Sequence, residues 1–339
     1  MKTIAFFNNK GGVGKTTLCF HLSHMLSRAG LRVVAADLDP QANLTAHFCS
    51  VEEIEQLWAE PREPVHISNC LAPLRAMHPS PLLAPRLREA EAQRSLFGGA
   101  LALLPGHLDL SSFEDEFGVA WLQSKSESPG RHIGHTLAFW SVIGEAAAAY
   151  RADVVLVDIG PNLGAINRAV LLATDLLVIP LAADVFSIQG LRNLGPTLKR
   201  WRGEWARIKA DACSRGVQGE LAAAEMKPVG YVILQHAVRK SRPVKAYQRW
   251  FERIPSTYRE CMLGAGGPAP DDPADDANCI GEVKHYQSLV PLSQDANKPM
   301  FDLTVRDGAI GGHQEYVRSC RANFEQLAQS LIERCHLAR

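Results

Sequence analysis

A run of lysines and glycines near the start of the chain has the residue types and spacing needed to bind phosphate. The run is Lys10-Gly11-Gly12-Val13-Gly14-Lys15-Thr16-Thr17. Glycines let successive backbone N–H groups converge on an anion without a Cβ atom in the way. Lys15 can reach the outer phosphates of a nucleoside triphosphate, and the Thr16 hydroxyl can ligate Mg²⁺. The run therefore predicts a site for a triphosphate and its metal ion.

Three aspartates follow apolar segments of the chain. Asp37 and Asp39 come after residues 32–36, and Asp158 ends the apolar run 154–157. Two carboxylates two positions apart at the end of a strand point to the same side. The carboxyl ends of parallel strands are where open α/β folds bind ligands, and Asp158 is placed to hold Mg²⁺ through water. The alternative for a member of the first pair is a cap on the following turn.

The elements that must position these residues follow from periodicity. Residues 3–7, 32–36, 101–104, 154–158, 176–181 and 229–234 are predicted to be strands. Apolar residues at helical spacing follow the glycine run, recur from Leu191 to Ile208 around Pro196, and recur from Val317 to Ile332. Strands that alternate with helices favour an α/β fold with a mostly parallel twisted sheet and helices on both faces. Pro196 predicts a kink or a helix restart.

The glycine run departs from the common pattern G-x-x-x-x-G-K-S/T, because Asn9 stands where that pattern has glycine. K-G-G-V-G-K-T-T instead resembles the loop of the ParA/MinD (Soj-like) family of deviant Walker A P-loop ATPases. The segment D-x-D-P-Q from Asp37 is similar to one in that family. The resemblance implies a P-loop NTPase fold, ATP and Mg²⁺ as cofactors, and slow, partner-stimulated ATP hydrolysis. It also implies that Asp39 positions or activates the attacking water, and that Thr16, Asp37 and Asp158 form the metal site.

The resemblance gives Lys10 a catalytic role beside Lys15 and Asp39. In the family the early lysine reaches across a nucleotide-sandwich dimer to the partner's phosphates, so a homodimer is expected when ATP is bound. A cation supplied there stabilises the charge that phosphoryl transfer places on the γ oxygens. The alternative is a solvated lysine at the end of a strand. Gln235 stands where the family often has asparagine, and its amide could meet the adenine edge.

A local basic segment is the candidate for a nucleic-acid surface. Lysines and arginines number 36, as do aspartates and glutamates, so net charge gives no general attraction to DNA. Clustered cations that bind phosphates gain affinity through counterion release. The candidate residues are Arg239, Lys240, Arg242, Lys245 and Arg249, with Arg318 and Arg321 as additions. The alternative is a solvated loop and helix face, whereas the resemblance implies non-specific DNA binding by the ATP dimer.

These observations predict a ParA-like ATPase that acts as an ATP-dependent dimerisation switch in DNA partition or cargo positioning. A small partner protein that stimulates hydrolysis is expected. The first alternative is a ParA-like regulatory ATPase of a mobile-element or defence operon that engages a protein instead of DNA. The second is a metabolic enzyme of the same fold, for which the sequence offers no second small-molecule constellation.

Composition bounds the setting and the organisation of the chain. The eight cysteines are scattered without a C-x-x-C pair, which favours reduced thiols in a cytoplasmic protein, nucleoid-associated if DNA is bound. No apolar stretch reaches about 18 residues, so membrane binding is not expected. A single domain over residues 1–339 is predicted, with irregular insertions around 50–100 and 255–285. The second insertion contains a Gly/Pro/Asp-rich loop, residues 264–276, that is expected to be solvated.

Overall fold

A single large sheet organises the fold. The computed structural model describes residues 1–59, 63–76, 82–90, 99–126, 130–215, 224–236, 238–239, 242–243, 245–286 and 288–337. Eight of the described strands pair in the order β10-β7-β6-β1-β5-β2-β4-β3, and β8 pairs with β9. The strands are β1 Lys2–Phe6, β2 Arg32–Asp37, β3 Arg88–Glu89, β4 Ala100–Leu104, β5 Val154–Asp158, β6 Leu176–Leu181, β7 Lys227–His236, β8 Val238–Arg239, β9 Arg242–Pro243 and β10 Cys279–Lys284.

The large sheet is parallel except at one edge, where the two-residue strand β3 runs antiparallel to β4. The helices that connect the strands are α1 Lys15–Arg28, α2 Asn43–Phe48, α3 Val51–Ala59, α4 Ile67–Leu71, α5 Glu114–Gln123, α6 Gly130–Thr136, α7 Ala138–Tyr150, α8 Ala165–Leu172, α9 Val185–Ser214, α10 Lys245–Phe251, α11 Ile254–Tyr258, α12 Val290–Asp295 and α13 His313–Cys335. The predicted α/β class is confirmed. None of the helices in the described part of the chain is both long and apolar enough to cross a bilayer.

Each face of the sheet has its own hydrophobic core. Alternate residues of β1 divide between them, with Ile4 and Phe6 on one side and Ala5 on the other. The first face packs against α1 and α13, and the second against α7, α8 and α9. Strands covered on both faces read as continuous apolar runs, which is why they were recognisable from sequence.

The two segments predicted to be irregular insertions, around 50–100 and 255–285, contain residues that are buried in the fold. Ile67 and Leu71, in α4, are fully buried in the core. Asp276 is also buried, and it accepts a hydrogen bond of 2.7 Å from the Tyr231 hydroxyl. The interpretation of residues 264–276 as a solvated acidic loop is therefore wrong for Asp276, whose carboxylate gains a buried phenolic donor in place of water.

Helix α9 runs unbroken through Pro196, so the predicted restart is wrong. The residue before it, Gly195, lies against the π-helical turn Arg259–Leu263, where a Cβ atom would overlap the carbonyl oxygen of Cys261. The same helix contains Gly203, around which a Cβ atom would meet nothing within 4 Å. Gly195 thus permits a close approach between the backbones of α9 and the π-helical turn, whereas Gly203 lies in open space.

We expect Gly195→Ala to lower the free energy of unfolding by about 1–3 kcal/mol, because the added methyl forces the π-helical turn away from α9. The matched variant Gly203→Ala should raise it by about 0.5–1 kcal/mol, since alanine is the better helix former in open space. Urea unfolding of both variants measures the difference. A Gly195→Ala midpoint equal to that of Gly203→Ala would contradict the packing described here.

Candidate functional site

A cavity of about 690 Å³ opens at the carboxyl-terminal edge of the sheet. It is lined by residues 11–17 of the glycine-rich loop, by Asp39 just after β2 and by Pro161 beyond β5. Leu234 of β7 and Val283 of β10 line the opposite end. The structure therefore brings the loop, Asp39 and the end of β5 to one place, as expected for parallel strands whose ends share an edge.

The loop residues have the backbone shape of an anion cradle. Gly12 and Gly14 have φ angles of 71° and 87°, which only glycine adopts without strain. Helix α1 begins at Lys15, so its free N–H groups face the cavity. Lys15 is 7% exposed and donates to the carbonyl oxygen of Lys10 at 3.4 Å. Burial lowers the pKa of Lys15, although the nearby Asp158 and Asp39 carboxylates oppose this shift.

Asp158 has the surroundings expected of a metal ligand. Both of its carboxylate oxygens are buried without a hydrogen-bond partner of ordinary geometry among the described residues. Burial, and next the neighbouring Asp37, raise its pKa, while the nearby Thr16 hydroxyl and Lys15 oppose the shift. A buried carboxylate in that state is stabilised by an added cation, and Thr16 supplies a second oxygen. These residues fit Mg²⁺.

Asp37 is held by protein donors instead. One oxygen of its carboxylate accepts hydrogen bonds of 2.7 Å from both the amide and the hydroxyl of Thr45, in the first turn of α2. The Thr45 hydroxyl in turn accepts from the amide of Gly106, after β4, at 2.7 Å. Burial raises the pKa of Asp37 to about 7 despite these hydrogen bonds. The capping alternative thus describes the geometry of Asp37, which orders α2 beside the site.

Asp39 lies at the cavity wall, 6% exposed, and accepts a hydrogen bond of 3.0 Å from the amide of Gln41. Gly160 lies against it, since a Cβ atom there would stand 3.2 Å from an Asp39 oxygen. The segment that follows is held in place by Asn167, whose amide donates to the carbonyl oxygens of Gly160 and Asn162 at 2.8 and 2.7 Å. Asp39 is therefore positioned against an ordered loop.

Glu114 anchors the same segment from its other end. This residue begins α5, and its carboxylate accepts hydrogen bonds from the amides of Ala165 and Ile166, at the start of α8. A carboxylate at a helix N-terminus satisfies free N–H groups and complements the helix dipole. Sequence reasoning missed both Glu114 and Asn167, because neither belongs to a motif. The contact between Glu114 and Ala165 also joins residues that are 51 positions apart.

The ammonium of Lys10 forms an ion pair within its own chain. It donates to the Asp184 carboxylate and lies 5.8 Å from the centre of the Phe186 ring. Burial alone would raise the pKa of Asp184, but the hydrogen bond from Lys10 contributes to a net lowering. The alternative of a solvated lysine is wrong. Asp184 follows β6, and β6 is the neighbour of β1 in the sheet. The position of Asp184 at the shared edge was therefore the signal from which its contact with Lys10 could have been predicted.

The far end of the cavity contains residues that the motifs did not reveal. Its described lining includes His47, Lys284, His285, Tyr286, Val290 and Gln294. Gln235 follows Leu234 in β7, but its side chain lies outside the described residues. The predicted contact of Gln235 with adenine therefore stays a prediction.

The predicted basic surface is divided in the structure. Lys240 and the side chains of Arg239, Arg242 and Lys245 lie outside the described residues. Arg249 is exposed on α10, beside Trp250. Arg318 and Arg321 belong to α13, which covers the opposite face of the sheet, and Arg321 donates to Asp302 and to the carbonyl oxygen of Phe301. Arg249 and the pair Arg318 and Arg321 therefore do not share a face of the sheet.

Comparisons with known proteins agree with this geometry. The family model described as "AAA domain" matches residues 1–209. The chromosome-partitioning ATPase Soj of Treponema pallidum is 28% identical over 199 residues, which cover 59% of this chain and 64% of that protein. The chain spans about half the length of other curated relatives it matches.

Solved structures extend the similarity beyond the matched region. Protein DIP2308 of Corynebacterium diphtheriae is 27% identical with a TM-score of 0.65, covering 88% of this chain and 97% of that one. The ParA protein of pNOB8, solved bound to nonspecific DNA, is 17% identical with a TM-score of 0.56 over 100% of this chain and 99% of its own. The second likeness shows the fold alone.

We expect Thr45→Val to lower the free energy of unfolding by about 1–3 kcal/mol. Valine keeps the shape of threonine but removes the donor to Asp37 and the acceptor for Gly106, both of which are buried. The control Thr45→Ser keeps the hydroxyl and loses one methyl, at a cost of about 1 kcal/mol. Denaturant unfolding compares the two variants. A valine variant as stable as the serine variant would show that the Asp37–Thr45–Gly106 chain contributes little.

Proposed function

We propose that this chain, which belongs to the AAA domain family and is a ParA/MinD-like P-loop ATPase, acts as an ATP-dependent dimerisation switch in DNA partition or cargo positioning. The observation that carries the proposal is the arrangement of loop residues 11–17 and Asp39 around one cavity, with Asp158 buried beside Lys15 and paired in register with Asp37. The partitioning role assigned to the Treponema pallidum relative supports the biological part of the proposal.

In this proposal the triphosphate lies along the loop, with its outer phosphates at the N-terminus of α1. The buried Lys15 ammonium and the backbone N–H groups balance the phosphate charge. Thr16 and Asp158 would hold Mg²⁺, and Asp37 would support them from behind while it remains bonded to Thr45. The ion supplies positive charge to the phosphate oxygens when bound.

Asp39 is the proposed catalytic carboxylate. It would orient the attacking water, whose oxygen bonds to the γ-phosphorus as the bond to the bridging oxygen breaks, giving ADP and phosphate. Its contact with Gly160 supports this role, because the segment held by Asn167 and Glu114 would fix the carboxylate. A small partner protein that stimulates this step is part of the proposal.

Lys10 is proposed to complete the site of a second copy of the chain. Nucleotide would then act through its different affinity for dimer and monomer. A shift from 1:99 to 99:1 requires a difference of about 5.5 kcal/mol between the two states. The dimer, in turn, would bind DNA without sequence preference. The complex of the pNOB8 ParA protein with nonspecific DNA supports this step, because that protein shares the fold.

A second candidate function is a regulatory ATPase that engages a protein partner in place of DNA. It is favoured by the division of the described arginines between opposite faces of the sheet and by the engagement of Arg321 with Asp302. Its nucleotide site would work in the same way. In either case we propose a cytoplasmic protein, nucleoid-associated where DNA is bound.

Variants of the nucleotide site test the switch. Lys15→Ala should abolish ATP binding, because it removes the buried ammonium with which the loop lines the cavity. Asp39→Ala should keep ATP bound but slow hydrolysis by about 100-fold or more, the usual contribution of a positioned acid–base group, and so accumulate dimers. Molar mass with ATP, ADP and no nucleotide, together with phosphate release, measures both effects. Hydrolysis by Asp39→Ala at the wild-type rate would exclude Asp39 from its role.

DNA binding is tested by its dependence on salt. If the ATP dimer binds phosphates, log affinity should fall linearly with log salt concentration, and the slope should decrease by about one for each phosphate contact removed. Arg249→Ala and Arg318→Ala are compared with Arg86→Ala, a control in which an exposed arginine outside the candidate surface is removed. Absent or salt-independent binding would favour the protein-partner alternative.

A further inference from the structure

The ion pair between Lys10 and Asp184 lies next to the loop residues, from Gly11 onward, that line the cavity. Lys10 lies in the glycine-rich loop after β1, and Asp184 precedes α9 after β6. Their side chains are 26% and 31% exposed, so the pair is accessible from outside the chain. An ion pair with this exposure is only partly hydrated, but other anions can still reach it. An incoming anion can therefore compete with Asp184 for the lysine.

A second feature holds the lysine on the same side. Phe186 is 69% exposed, and the Lys10 ammonium lies 5.8 Å from the centre of its ring. Aromatic faces attract cations at this range, so the ring favours the same position of the ammonium as the carboxylate does. Both contacts come from the start of α9, one from its capping residue Asp184 and one from Phe186 in its first turn, and both direct Lys10 toward its own chain.

This arrangement conflicts with a lysine that serves another subunit. One ammonium cannot stay on Asp184 and also neutralise a phosphate bound by a second copy, so the trans contact requires that the ion pair break. A triphosphate with Mg²⁺ presents several oxygens and more negative charge than a single carboxylate. The exchange is therefore favourable only when a second copy brings its nucleotide within reach of Lys10.

We propose that Asp184 is a positioning residue that holds Lys10 within its own subunit until the triphosphate bound by a second copy competes for it. This inference rests on the proposed function, because it takes Lys10 to act in trans. Asp184 thereby raises the protein concentration at which ATP-bound dimers form, and it prevents the free lysine from pairing with other anions. Its effect is exerted entirely through Lys10.

The competing explanation is that Asp184 serves α9 alone. Its carboxylate accepts a hydrogen bond of 2.8 Å from the amide of Ser187, which caps the helix. Asn caps helices about as well as Asp but carries no charge. Asp184→Asn therefore keeps the cap and removes the ion pair. Asp272→Asn is the matched control, because Asp272 caps the short helical turn at 273–275 by accepting from Ala274 at 2.9 Å.

The first measurement is the rate at which an amine-acylating reagent modifies Lys10 in the nucleotide-free chain, followed by mass spectrometry. Asp184→Asn should increase the rate about two- to fivefold, the range expected for loss of a partly exposed ion pair. Lys125, which pairs with Glu204 elsewhere, is the internal reference and should not change. An unchanged rate at Lys10 would overturn the inference, whatever nucleotide does.

The second measurement is the protein concentration at half dimerisation with a non-hydrolysable ATP analogue. Asp184→Asn should lower this midpoint about two- to fivefold, whereas Asp272→Asn should leave it unchanged. In a Lys10→Ala background, Asp184→Asn should have no further effect, since the residue acts only through Lys10. A midpoint that is unchanged or raised by Asp184→Asn would overturn the inference while leaving the switch intact. A wild-type chain that stays monomeric would refute both the switch and the exchange.

Discussion

Three carboxylates and one ammonium are gathered, mostly buried, where the central strands end. Asp37 and Asp158 are paired in register on β2 and β5, so the sheet itself forces the two acids together. Burial is the main cause that raises the pKa of both carboxyls, and repulsion by a neighbouring carboxylate, Asp39 for Asp37 and Asp37 for Asp158, adds to it. Lys15 offsets only part of this excess. The site is thus arranged to accept a further cation, and the anion cradle beside it accepts the charge that such a cation accompanies.

The rest of the fold keeps these groups in register. The two hydrophobic cores cover both faces of the sheet, and α1 packs in one of these cores. This packing fixes the start of α1 and therefore the path of the glycine-rich loop before it. Thr45 and Gly106 hold Asp37 in place. Buried polar groups are usually hydrogen-bonded, and here the link from Thr45 to Gly106 ties Asp37 to a segment 61 residues away from Thr45.

Much of this was open to prediction from the sequence. Strands β1, β2, β4, β5, β6 and β7 and the main amphipathic helices were, because their apolar periodicity is local, and the loop was, because glycines and lysine at fixed spacing carry their own geometry. Strands β3 and β10 were not: they lie in the segments 50–100 and 255–285, which were predicted to be irregular insertions, and both join the large sheet. The roles of Thr45 and Asp184 were not, since each depends on which strands become neighbours. Pro196 shows the converse limit: the helix restart that it suggested does not occur, and α9, which packs against the sheet, continues through it. Lys10 was expected to contact the nucleotide of a partner subunit, but within one chain its ammonium pairs with its nearest acid, Asp184.

The attachment of Glu114 to α8 has a mechanical consequence. The segment that passes Asp39 is tied at one end by Asn167 and at the other, through the start of α8, to the first residue of α5. It cannot swing independently of those tethers. Any displacement of this segment beside Asp39 must either break a charged helix contact or carry α5 along, and α5 displays Val119 and Leu122 on the outer surface. A movement of the buried segment beside Asp39 would in this way be transmitted to the outer surface of α5.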